Sequence, residues 1–79
     1  MPRYYFDSHD GDQSIVDDIG VELPDIDAAK LEASRALTDL ARDVVPGSIW
    51  RELCVSVRDE LNRPILKVVM TFEVISPCG

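Results

Sequence analysis

The stretch between Pro24 and the Pro46-Gly47 pair reads as one helix with a single buried stripe, and the rest of the chain has to fold around it. Asp25 stands just before the periodic run as an N-cap, and Asp27 lies in the first turn, where a carboxylate suits the positive helix end. Ile26, Ala29, Ala33, Ala36, Leu37, Leu40 and Val44 fall within a sector of roughly 100° when advanced 100° per residue. Arg35 and Arg42 lie off that stripe. Pro46-Gly47 cannot continue the helix, so it is expected to stop near Val44. The alanines at 29, 33 and 36 let its N-terminal half approach a sheet closely.

The flanks supply that sheet. Arg3 to Ser8 reads as a strand, and Asp10-Gly11 is a turn dipeptide that returns the chain through Gln13 to Val16. A second turn follows at Asp17 to Gly20, and Val21 and Leu23 then alternate with Glu22 in a short extended stretch that Pro24 ends. Beyond the helix, Leu53, Val55 and Val57 alternate with Cys54, Ser56 and Arg58, the period of a strand with one buried face. A turn within Glu60 to Pro64 leads to a longer strand. It places Leu66, Val68, Met70, Phe72 and Val74 on one side and Ile65, Lys67, Val69, Thr71 and Glu73 on the other. The expected class is α+β, in the order β-β-α-β-β: a four-stranded antiparallel sheet with one helix packed on one face. At 79 residues, 46 % of them apolar, residues 1–79 make a single small domain with a marginal core, and the tail at 76–79 is expected to fray.

One helix covers one face only. The opposite face would present Tyr5, Cys54, Ile65 and Val69 beside Arg58, Lys67 and Thr71, more apolar than a solvated sheet face usually is. That face, or an exposed edge strand, is expected to meet a second copy of the chain, making a homodimer, with Leu31 on the outer side of the helix either a further contact or simply one exposed leucine. Trp50 is expected to lie as a lid on the core beside the helix end.

Charge is distributed very unevenly. Asp7, Asp10, Asp12, Asp17, Asp18, Glu22, Asp25 and Asp27 follow one another without a lysine or arginine among them, and the net charge is -7. Asp25 and Asp27 are accounted for as helix-start residues and Asp10, Asp17 and Asp18 as turn formers. Asp7, His9 and Asp12 stay at one hairpin tip with no base nearby in the sequence. Direct nucleic-acid binding is not expected, because the acidic segment repels phosphate and the eight basic residues are scattered. A basic protein is the partner such a segment would attract. Apolar runs such as Val68 to Met70 are far too short to span a bilayer, so no membrane partner is expected. The N-terminus lacks the pattern of a signal peptide, and the cytoplasm is the expected compartment. There, Cys54 and Cys78 are expected as free thiols.

Candidate chemistry is sparse. Asp7, Ser8 and His9 have the residue types of a hydrolase triad, but alternation along a strand sends Ser8 to the face away from the other two. Asp7 and His9 share a face and could form an acid-base pair, against the simpler reading of a solvated histidine near a turn. Asp7, His9, Asp10 and Asp12 surround a glycine turn and offer oxygen and imidazole ligands, without the spacing of a calcium loop. No catalytic residue and no cofactor is expected: Gly11, Gly20, Gly47 and Gly79 are isolated, and none opens the helix as a phosphate loop would.

The run Met1-Pro2-Arg3-Tyr4-Tyr5-Phe6, the Asp10-Gly11 turn, Asp17 to Asp25, the helix beginning Ala28-Ala29, and Val57-Arg58-Asp59-Glu60 together resemble the short bacterial proteins grouped as domain of unknown function 6894. The resemblance covers nearly the whole chain and rests on turns, caps and core positions. It implies the fold and carries over no activity. One departure is Leu61-Asn62-Arg63, where such proteins typically have a glycine after the acidic pair. The leading functional expectation is a non-catalytic interaction module acting as a homodimer. The alternatives are an antitoxin-like or nucleic-acid-mimicking regulator of a basic partner, by fold-level analogy, and a metal or acid-base site at Asp7 and His9.

Overall fold

The computed structural model describes residues 1–77; Cys78 and the end of the tail lie outside the described residues. The helix, α1, runs Ile26–Val44, and its start is the anticipated cap: Asp25 is extended, and its carboxylate accepts the Ala28 N–H at 2.9 Å. Ala29, Ala33, Leu37 and Ala41 form the buried seam, with Ala36, Leu40 and Val44 packed beside it. Ile26, at the upper end of the stripe, is 54 % exposed, because it overhangs the sheet beside Tyr4 and Ile65. At the other end the Val45 N–H closes on the Ala41 carbonyl, and the Ser48 hydroxyl donates to the Val44 carbonyl at 2.6 Å.

The strands are β1 (Arg3–Asp10), β2 (Gln13–Ile15), β3 (Val21–Glu22), β4 (Trp50–Arg58) and β5 (Pro64–Glu73), all paired antiparallel in the order β2-β1-β4-β5. The sheet therefore has five strands rather than four. The fifth is the extended stretch before Pro24, which pairs Arg3 with Glu22 and Tyr4 with Val21 on the outer side of β1, and the Leu23 N–H adds a bond to the Pro2 carbonyl at 3.0 Å. Two residues are too few to show a strand period, which hid this pairing.

At the first hairpin Asp10 pairs with Gln13, so the loop is Gly11-Asp12, and only Gly11 has positive φ, at 58°. That is the pattern of a II′ turn, whose twist suits the flanking strands.

The core lies between α1 and the even side of β1 and odd side of β4: Tyr4, Leu53, Val55 and Val57 are buried against the helix seam, with Phe6, Leu66, Val68 and Met70 around them. Alternation placed Ile65 on the opposite face, and the structure corrects this. Val57 pairs with Leu66 but Arg58 pairs with Pro64, so Ile65 is the extra residue of a bulge and packs against the core. Trp50 is corrected as well. It opens β4 on the face away from the helix, paired with Glu73 and 56 % exposed, because the strand begins there and not after a loop.

Candidate functional site

The face of the sheet away from α1 carries the side chains singled out for chemistry, and its centre is an arginine. Arg58 ends β4 opposite Tyr5, and its guanidinium carbon stands 4.7 Å from the Tyr5 ring centroid. Its Nε donates to Asp7 Oδ2 at 3.0 Å, its Nη2 donates to the Asp17 carbonyl, and its Nη1 reaches Asn62 Oδ1 at 3.3 Å. Asp7 in turn accepts the Asp17 N–H at 2.9 Å. Both ends of the Asp7–Arg58 pair are mostly shielded, with side chains 17 % and 22 % exposed.

Asp17 extends the network. Its Oδ2 accepts the Phe6 N–H at 3.1 Å, and its Oδ1 accepts the N–H groups of Ile19 and Gly20, each at 3.0 Å. Burial pushes this carboxyl up, but the N–H groups of Gly20, Phe6 and Ile19, together with the Arg58 guanidinium, outweigh it and hold the group below the usual range. On the outer side of β1, Arg3 and Tyr4 are paired with β3 and Ser8 to Asp10 with β2. Phe6 sits in the gap between them, and the Asp17 carboxylate satisfies its N–H there in place of a strand.

Gly20 follows at φ 76°, and a Cβ on it would come within 2.9 Å of Arg3 Cγ and Tyr5 Cε2. Only glycine lets the loop close onto β1 here. Arg3 then clasps the loop from the far side, donating to the Ile19 carbonyl at 2.8 Å and to Glu22 Oε1 at 3.2 Å.

The hairpin-tip cluster does not come together. Asp7 is committed to Arg58. Asp10 lies on the helix side, bonded through both carboxylate oxygens to Arg51 Nη1 at 3.0 and 3.2 Å. Asp12 is exposed in the turn, and His9 Nδ1 lies 2.9 Å from the Ser14 hydroxyl on β2. Ser8 points to the helix side, where it shares a groove with Leu40 and Val44. Among the described residues no group of three or more His, Cys, Asp or Glu side chains is placed to hold a metal ion. Cys54 is a free thiol, opposite His9 on one side and Val69 on the other. Tyr5 and Cys54 are half-buried, whereas Val69 and Leu31 are exposed.

The expectation that the acidic block lacked neutralising bases is also corrected. Arg58, Arg51 and Arg3 reach Asp7, Asp10 and Glu22 from sequence separations of 51, 41 and 19 residues. Alternation alone put Tyr5 and Arg58 on one face. What it lacked was the register that sets Tyr5 opposite Arg58.

The second hairpin repeats the device. Asp59 accepts the N–H groups of Leu61 and Arg63 and the Arg63 Nε, each at 2.9 Å. The Arg63 N–H, helped by the Arg63 side chain and the Leu61 N–H, holds this carboxyl low against the opposing effect of burial. Asn62 takes the left-handed conformation at φ 63°, the one a glycine would adopt without strain.

These are contacts that fold and fasten a loop. They commit the carboxylates of Asp7, Asp10, Asp17, Glu22 and Asp59, and leave Asp12, Asp18 and Asp27 exposed. No curated protein and no solved structure matches the chain. A family model matches residues 3–71, the span that holds the helix, both carboxylate-clasped turns and all of the sheet but the last two residues of β5, and the chain belongs to that family, described as domain of unknown function DUF6894.

Proposed function

We propose that the protein is a non-catalytic interaction module that works as a homodimer. The observation that carries this reading is its surface. The chain exposes 5570 Å², whereas a compact monomer of its 8.8 kDa mass exposes about 4800 Å². The excess of about 800 Å² is close to what one partner contributes to a standard protein interface. The surface includes apolar side chains: Trp50, Val69, Val74 and Ile75 are all more than half exposed along the β4–β5 ribbon and its end. Full burial of such a side chain is worth roughly 1.5 to 3 kcal/mol, and a second copy recovers part of the share that their present exposure forgoes.

The test is the mass of the full chain in solution. Light scattering at 10 to 500 µM, on the order of ordinary dimer affinities, is expected to give twice 8.8 kDa. A monomer across that range refutes the reading.

A second reading, that the dimer regulates a basic partner in the manner of an antitoxin or nucleic-acid mimic, is supported by the exposed Asp12, Asp18 and Asp27. Among the described residues none of these three enters an ion pair. A complex held by such charges is expected to form at low salt and dissociate as the Debye length shrinks to about 3 Å at 1 M. Pull-down with the Asp12, Asp18 and Asp27 triple asparagine variant as control checks it; equal capture by both chains refutes it.

A further inference from the structure

The two edges of the sheet are built differently. The β1 side is closed along its length by β2, by the Asp17 carboxylate at Phe6, and by β3. The β5 side is a ten-residue strand that pairs with β4 on one side and, among the described residues, with no strand on the other. It carries Pro64 at one end and a single lysine, less protection than a long edge strand needs to stay unpaired.

We infer that β5 is the dimer interface, pairing antiparallel with the β5 of a second copy across a two-fold axis at Met70. This rests on the homodimer reading above and names its surface and register. In that register Leu66 faces Val74 of the second copy, Val68 faces Phe72, and Val69 faces Thr71. Lys67 faces Glu73. From Leu66 to Val74, one residue past the strand's end, the sequence is palindromic in chemical character, with its two charges of opposite sign equidistant from Met70. Directly opposed residues of an antiparallel pair project to the same face, so each match is a cross-strand contact and both Lys67–Glu73 pairs form on the face away from the helices. Shifting the centre by one residue, to Val69 or Thr71, sets Lys67 against Thr71 or Ile75 and leaves both charges unmatched.

The helix side fits as well. α1 lies over β4 and β5, so two copies joined at β5 bring their helices to about 10 to 14 Å apart at a strand spacing of about 4.8 Å. Between them lies a groove of 410 Å³ that includes Ala41, Val45, Pro46, Met70 and Phe72. The two-fold sets this groove against its own copy and covers apolar surface on both. The contact is isologous and uses up the β5 edge of both copies, and the far edge is made of the short strands β2 and β3, so the assembly stops at two and does not grow into a filament.

The experiment is charge reversal in the full chain, read as the dimer dissociation constant by sedimentation velocity, with circular dichroism confirming the fold. Lys67→Glu and Glu73→Lys each turn two attractive pairs into repulsive ones and are expected to weaken the dimer roughly tenfold. The double variant K67E/E73K restores both pairs and is expected to return to within about threefold of the parent. A parent chain that is monomeric overturns this inference together with the homodimer reading. A parent dimer that is unmoved by the single reversals, or singles that the double does not rescue, overturns the β5 register and leaves the homodimer reading standing. Should a reversal fail to fold, Met70→Cys decides. Residues facing each other across the axis fall within the roughly 4.4 to 6.8 Å Cα range of a disulfide. Oxidation is expected to give a covalent dimer that Met70→Ser does not give, and its absence overturns the register.

Discussion

Replacing Asp17 with alanine tests the claim that this carboxylate stands in for a missing strand. The substitution removes the acceptor for three backbone N–H groups, those of Phe6, Ile19 and Gly20. The Ile19 N–H lies at the surface, and the part-buried Gly20 N–H belongs to a loop that can open to water, so these contribute roughly 0.5 kcal/mol each. The Phe6 N–H is part-buried in the gap between β2 and β3, and leaving it unpaired costs about 1 to 2 kcal/mol. The loop also loses its anchor beneath Arg58. Together the expected loss is about 2 to 3 kcal/mol, which for a domain this small lowers the melting temperature by roughly 10 to 20 °C. Asp17→Asn retains one carbonyl acceptor for the loop and turns an amide against the Phe6 N–H, so it should fall about halfway.

The same carboxylate sets a pH dependence. Its pKa is depressed in the folded chain, so its contribution is complete above about pH 3.9, where the unfolded chain is also ionised, and fades as pH falls toward the lower folded value. Thermal melts followed by circular dichroism from pH 7 to pH 2.5 are expected to show a parent Tm that drops on the acid side and a Tm that drops less steeply in Asp17→Asn. Asp59 is depressed too, so the slope is reduced and not abolished. Hydrogen exchange at the Phe6 amide gives a local check, with protection lost in the alanine variant. If Asp17→Ala melts within about 3 °C of the parent, well under 1 kcal/mol, the strand-substitute argument fails.

Other perturbations separate packing from backbone conformation. Gly20→Ala meets both positive φ and neighbours at 2.9 Å, whereas Gly11→Ala meets positive φ with nothing within 4 Å. Urea titration is expected to show a loss of about 1 kcal/mol at Gly11 and at least 2 kcal/mol more at Gly20, and equal losses would refute the close approach. Ala33 is fully buried under the sheet, so Ala33→Leu is expected to destabilise by about 1 to 3 kcal/mol or more, while Leu31→Ala on the outer helix face stays within about 0.5 kcal/mol in the same assay. Asn62→Gly relieves a left-handed residue and forfeits its contact with Arg58, so the two effects are expected to cancel within about 0.5 kcal/mol, with Asn62→Ala lower by about 1 kcal/mol.

What could be read without coordinates was whatever depends on neighbours in the chain. Helix α1 ends where Pro46-Gly47 stops it and begins where Asp25 caps it, because capping and periodicity act within a few residues. The β4 and β5 faces follow from alternation up to the bulge at Val57 and Arg58, beyond which one extra residue turned Ile65 to the core. Register is a long-range property, and everything that depended on it was invisible. Tyr5 and Arg58 were assigned to one face, but that Arg58 reaches Asp7 requires knowing that Tyr5 stands opposite Arg58. The exposure of Trp50 had the same origin, since the start of β4 is set by pairing with Glu73 and not by local composition.

The acidic segment and the bare β5 edge then belong to one argument. Asp7, Asp10 and Glu22 are held by arginines, and Asp17 and Asp25 by backbone N–H groups, so five of the eight carboxylates are spent on closing the β1 side and starting the helix. Backbone donors hold a carboxylate without cancelling its charge, so Asp17 and Asp25 still add to the field of Asp12, Asp18 and Asp27. A second chain approaching along β1 therefore meets an edge that is both paired and negatively charged. Along β5 it meets unpaired backbone groups, apolar side chains and one charge of each sign. The physical chemistry that closes one edge to strand addition directs it to the other.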